Sequence, residues 1–101
     1  MKVVEIFLPL NYGSGEAVPK AIFDVLKHEL SDKFGGVTAY TRAPAEGLWR
    51  SGFGTERDAL LIFEVMVPKV DKDWWKEFKA RVELLLRQKQ LLIRAMHASR
   101  I

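Results

Sequence analysis

The chain has 101 residues, no cysteine, and a formal net charge of +3 from 16 Lys and Arg against 13 Asp and Glu. That length suits one domain with a modest core, so a single domain over residues 1–101 is expected. The absence of cysteine excludes a disulfide framework, a thiolate nucleophile and a cysteine-bound metal. The basic residues are spread without a run of five, so the charge does not point to nucleic acid or an anionic surface. No apolar run nears the roughly eighteen residues of a membrane span. The opening Met-Lys-Val-Val-Glu-Ile is cut short by Glu5 and Pro9, so it reads as a strand, not a signal sequence. The expected location is the cytoplasm.

In chain order, residues 2–8 read as a first strand, stopped by Pro9, which lacks the amide a ladder needs. Asn11-Tyr12-Gly13-Ser14-Gly15 is a turn; it is neither a dinucleotide fingerprint nor a P-loop. Val18, Ile22, Val25, Leu26 and Leu30 recur at helical spacing, and Pro19 belongs in a first turn, which predicts a helix beginning near residues 16–18. Gly35-Gly36 is the stop. A second strand follows over 37–42, and the stretch 43–47 interrupts it before Leu48-Trp49-Arg50. A third strand covers 59–67 and ends at Pro68. Asp71 or Asp73 caps a second helix with Trp74, Phe78, Val82, Leu85 and Leu86 as its apolar stripe. A last strand runs from Leu91 to about Ala98.

The order β-α-β-β-α-β predicts an α+β, ferredoxin-like fold: a four-stranded antiparallel sheet, strand order 4-1-3-2, with two helices on one face. Period-two alternation assigns Val4, Ile6, Leu8, Leu61, Phe63, Val65, Val67, Val37, Ala39, Leu91, Ile93 and Ala95 to the helix side. The other face then holds Glu5, Glu64, Arg42, Tyr40 and Arg94 among Val3, Phe7, Leu60, Ile62, Met66, Leu92 and Met96. A charge inside a strand is costly unless paired or wet. Centring the strands pairs Glu5 with Arg94 and sets Glu64 beside Tyr40 and Arg42. The first and third strands, taken as parallel neighbours, bring the two carboxylates together.

Two readings follow. An apolar open face normally becomes an interface, which predicts a homodimer joined sheet to sheet, with a small-molecule ligand site. Alternatively, Glu64 or Glu5 is the catalytic acid or base of a cofactor-independent enzyme, isomerase- or monooxygenase-like, acting on a small organic substrate. Candidate ligand-binding residues are Tyr40, Arg42, Trp49, Arg94 and His97. Trp49 joins them because aromatic groups in a Gly-rich hairpin (Phe53 is another) often close over a ligand. Neither His28 nor His97 has partners at a ligating spacing, so no metal is expected. An RNA-recognition reading fails on the third strand, which offers Leu60, Ile62, Glu64 and Met66 where stacking aromatics and a basic residue belong.

The run Phe34-Gly35-Gly36-Val37-Thr38-Ala39-Tyr40-Thr41-Arg42-Ala43-Pro44-Ala45-Glu46-Gly47-Leu48-Trp49 resembles a block in a family of small bacterial proteins of unknown function. Asp73-Trp74-Trp75 and Leu92-Ile93-Arg94-Ala95 extend the similarity over most of the chain. The resemblance implies a dimeric ferredoxin-like α+β fold. It implies no catalytic residues.

Overall fold

Alternating apolar residues build the sheet. The computed structural model describes the backbone of residues 1–51 and 54–101, with side chains described outside residues 41–59. The strands are Lys2–Pro9 (β1), Thr38–Ser51 (β2), Gly54–Val67 (β3) and Leu92–His97 (β4); the helices are Lys20–Phe34 (α1) and Lys72–Leu85 (α2). The sheet order is β2-β3-β1-β4, which is 4-1-3-2 read from the other edge. The architecture is ferredoxin-like.

Every neighbouring pair is antiparallel. The expected parallel pairing of the first and third strands is therefore wrong. The crossover through α1 makes β1 and β2 parallel with a strand between them, and the hairpin reverses that intervening strand. Glu5 still meets Glu64, now as a direct cross-strand partner.

On the helix side, Val4 pairs with Val65, Ile6 with Phe63 and Leu8 with Leu61. All six are buried, in one cluster with Phe23, Leu26 and Leu30 of α1 and Trp75, Phe78 and Val82 of α2. Each helix thus inserts an i, i+3, i+7 stripe. Those stripes are rotated from the expected ones: Val25 is 63% exposed and Leu85 42% exposed. Residues two apart on a helix point about 200° apart, so Val25 cannot face the sheet once Phe23 does. Ala95 is also exposed, against expectation, while Leu91 is buried and Ile93 half-buried. The helices do not cover that end of the edge strand.

Helix α1 starts later than predicted. Pro19 is extended (φ −57°, ψ 136°) and occupies the N-cap. The preceding residues instead bond back to the end of β1, with Val18 N–H donating to Leu10 O at 2.9 Å. Gly35 ends the helix as expected, left-handed at φ 80°, where a side chain would be strained. At α2 the cap is Asp71, whose Oδ1 accepts the Trp74 N–H at 3.2 Å. Removing that acceptor in Asp71→Ala is expected to cost about 1 kcal/mol. A fall of roughly 4–8 °C in thermal midpoint is the corresponding readout; an unchanged midpoint contradicts the cap.

The helices are also joined at their outer surfaces. Arg81 grips Glu29 with both terminal nitrogens, at 2.9 and 2.6 Å. That hydrogen bonding raises the guanidinium pKa above its ordinary value, with partial burial opposing it. The group stays charged throughout the working pH range. Trp75 is core, whereas Trp74 is half-buried, its ring edge-on to Phe34 at 5.2 Å and beneath Lys33 Nζ at 4.9 Å. Among the described residues no helix is long and apolar enough to cross a membrane.

The second strand and the hairpin are longer than predicted. The ladder does break after Tyr40, but it resumes at Ala45 opposite Leu60 with a shifted register and continues to Ser51 opposite Gly54. Pro44 falls inside the interruption, where no ladder amide is needed.

Candidate functional site on the open sheet face

Register converts the alternating residues into rows across the sheet. Thr38 lies opposite Glu64, Glu64 opposite Glu5, and Glu5 opposite Arg94. This polar row crosses all four strands. On one side runs the apolar row Ile62, Phe7, Leu92, and on the other Met66, Val3, Met96. None of these residues is buried, and among the described residues no element covers them. Met66, Leu92 and Met96 are 47%, 45% and 41% exposed.

The charges in the row have internal partners. Arg94 Nε donates to Glu5 Oε1 at 2.7 Å, and the guanidinium carbon lies 5.0 Å from the Phe7 ring centre. The Phe7 platform escaped the sequence reading, although its i+2 spacing from Glu5 on a strand was the signal. The Tyr40 hydroxyl donates to Glu64 Oε2 at 3.1 Å. Tyr40 itself pairs with Ile62, so its ring reaches diagonally to Glu64. Directly opposite positions in an antiparallel pair place Cβ atoms about 4.5–5.5 Å apart. Two carboxylates therefore face one another, one held by a guanidinium and the other by a phenol.

Glu5 is the more enclosed member of its ion pair, with its side chain 14% exposed against 53% for Arg94. Arg94→Met would leave that carboxylate facing Glu64 without its counter-ion. The single substitution is expected to cost about 1 kcal/mol more than Glu5→Gln/Arg94→Met, a modest figure because the arginine is half in solvent. Urea unfolding of the set checks this; equal losses remove the pair from the energetics.

The remaining candidates separate from this centre. Arg42 falls in the register break, and its side chain, like that of Trp49, lies outside the described ones; Phe53 lies outside the described residues altogether. The contact expected of Arg42 with Glu64 is thus not among those described. His97 is exposed at the end of β4, opposite Lys2, three residues along from Arg94. His28 is exposed on α1. Glu64 lines a cleft of about 400 Å³, formed with Phe34 to Thr38 and Met66 instead of with Tyr40. Among the described residues no group of three His, Cys, Asp or Glu is placed to hold a metal ion. The arrangement offers two adjacent hydrogen-bond acceptors, which suit a ligand carrying amine or hydroxyl donors.

No protein-family profile matches the chain, and no curated protein matches it. Solved structures do match, by fold. A divalent cation tolerance protein (Cut A1) from Thermus thermophilus superposes with a TM-score of 0.64 at 17% identity, over 99% of this chain and 86% of its own. The PII-like protein CutA from Nostoc sp. PCC 7120, in apo form, gives 0.58 at 17% identity, over 97% and 81%. A phage SAM lyase in complex with S-methyl-5'-thioadenosine gives 0.53 at 14% identity, over 95% and 80%. What these likenesses share with the chain is a small ferredoxin-like α+β fold. At such identities the likeness is one of fold.

Proposed function

We propose that the chain is a self-associating ligand-binding domain, in which two copies meet face to face across their open sheets. The observation that carries this reading is the pattern of rows: apolar, polar, apolar, with Glu5, Arg94 and Glu64 already bonded within the chain. A partner can cover such a face with Glu5 still paired to Arg94 and Glu64 still bonded to Tyr40, and the apolar rows supply the gain. A two-fold arrangement lets the same face serve both copies. Between them, the adjacent Glu5 and Glu64 carboxylates hold a small ligand through its donor groups. The phage lyase described above, bound to S-methyl-5'-thioadenosine, makes a small-molecule site on this fold a reasonable expectation.

The solution molar mass tests the proposal. At micromolar concentration, light scattering behind a sizing column is expected to read twice the 11.6 kDa of one chain. A single-chain mass rejects the interface; a higher multiple keeps self-association and replaces the two-fold geometry. A second reading draws on the same row. Glu64 facing Glu5, with the Tyr40 hydroxyl at 3.1 Å, also suits proton transfer in a cofactor-independent enzyme. Glu64→Gln distinguishes the two, because an enzyme keeps its assembly and loses its chemistry.

A further inference from the structure

A second cavity lies where α2 gives way to β4 and reaches the open sheet face at Phe7 and Leu92. Its volume is about 600 Å³, inside the range of roughly 300–1,000 Å³ typical of small-molecule sites. Phe7, Leu60 and Leu92 supply apolar walls, and Lys79, Gln88 and Gln90 supply the polar groups. No carboxylate lines it.

The nearest acid, Glu83, is already engaged. Its Oε2 accepts the Leu91 N–H at 2.7 Å, and it stands 3.9 Å from Lys79 Nζ. That separation is too long for a hydrogen bond, so the three ammonium donors of Lys79 remain for another acceptor. Gln88 spends one N–H on Leu86 O at 3.4 Å. Gln90 makes no side-chain hydrogen bond to any described residue. The cavity therefore presents a cation and amide donors beside apolar walls.

The connector backbone that carries Gln88 and Gln90 is held in place before any ligand arrives. Leu86 and Leu91 anchor the connector at both ends, at 0% and 3% exposure. Between them Arg87 is left-handed, at φ 55°. Its guanidinium carbon lies 4.6 Å from the Tyr12 ring centre. The Gln88 N–H donates to Glu83 O at 2.9 Å. A connector already fixed in this way has less backbone entropy to lose on binding than a mobile one.

We propose that this cavity binds a small organic monocarboxylate with an apolar tail. The carboxylate lies at Lys79 Nζ and the Gln88 and Gln90 amides, and the tail packs against Phe7, Leu60 and Leu92. Every lining residue comes from one chain, while Phe7 and Leu92 also belong to the apolar row that a sheet-to-sheet partner would border.

The test is a titration of isotope-labelled protein, followed by amide NMR shifts, with 3-phenylpropionate and its neutral analogue 3-phenylpropan-1-ol. The acid is expected to give saturable shifts centred on residues 88–93. The alcohol should bind about tenfold more weakly, as should the acid to Lys79→Gln, in keeping with the loss of one charge-assisted hydrogen bond. The unchanged remainder of the spectrum shows that the variant is folded. Equal binding of acid and alcohol overturns the proposal, as do shifts that never saturate or indifference to Lys79→Gln. Repeating the titration on Met66→Glu, a variant aimed at the interface alone, separates the two readings: retained binding supports the intrachain site, and lost binding rejects it.

Discussion

Phe63→Ala is expected to destabilise the chain by about 3–5 kcal/mol, the usual cost of emptying a core aromatic position. Phe63 has 0% exposure on β3, with Ile6 across one neighbouring strand and Ala39 across the other. Ala39 is too short to fill the space. Ile6 and Phe78, at 0% and 1% exposure, are held by their own packing. A domain of ordinary stability has only about 5–15 kcal/mol in total, so a large share would vanish. The measurement is the shift of the urea midpoint at constant slope. A loss below about 1 kcal/mol would mean that the two helices close over the gap, contrary to a core packed at crystal-like density.

Met66→Glu is expected to raise the dissociation constant of the dimer by at least a hundredfold. At 47% exposure the side chain is free to become charged in the single folded chain. Between two sheets the new carboxylate would be buried, on the same strand face as Glu64 and two residues away. An uncompensated charge in that setting costs about 3 kcal/mol or more, which is over a hundredfold in affinity. Sedimentation equilibrium reads the constant, and the thermal midpoint of the dilute variant reports on the fold. An unchanged constant with an unchanged midpoint places the contact on another surface.

The two central strands were legible in the sequence because their period is two and both faces are unambiguous. Val4, Ile6, Leu8, Phe63, Val65 and Val67 all fall inward as alternation requires. Both helices were legible as helices, yet Val25 and Leu85 were placed on the wrong side. Each has apolar neighbours one position away, and a 3.6-residue period with several apolar candidates admits more than one stripe. The hairpin was read too short because Pro44 and Gly47 signal a break locally, while a sheet can absorb one irregularity and resume pairing.

By itself, the sequence determined the β-α-β-β-α-β order, the strand order that follows from it, and that Glu5, Glu64 and Arg94 share the open face. Each of those depends on local periodicity and on chain connectivity. Only the tertiary structure decided the direction of β1 against β3 and the register that lines up Thr38, Glu64, Glu5 and Arg94 in one row. Register depends on where the chain reverses, and a slip of one residue would send Glu5 into the core. The convergence of Lys79, Gln88 and Gln90 on one cavity was likewise invisible. Those residues come from a helix face and a connector, and only the packing of α2 beside β4 brings them to a common point.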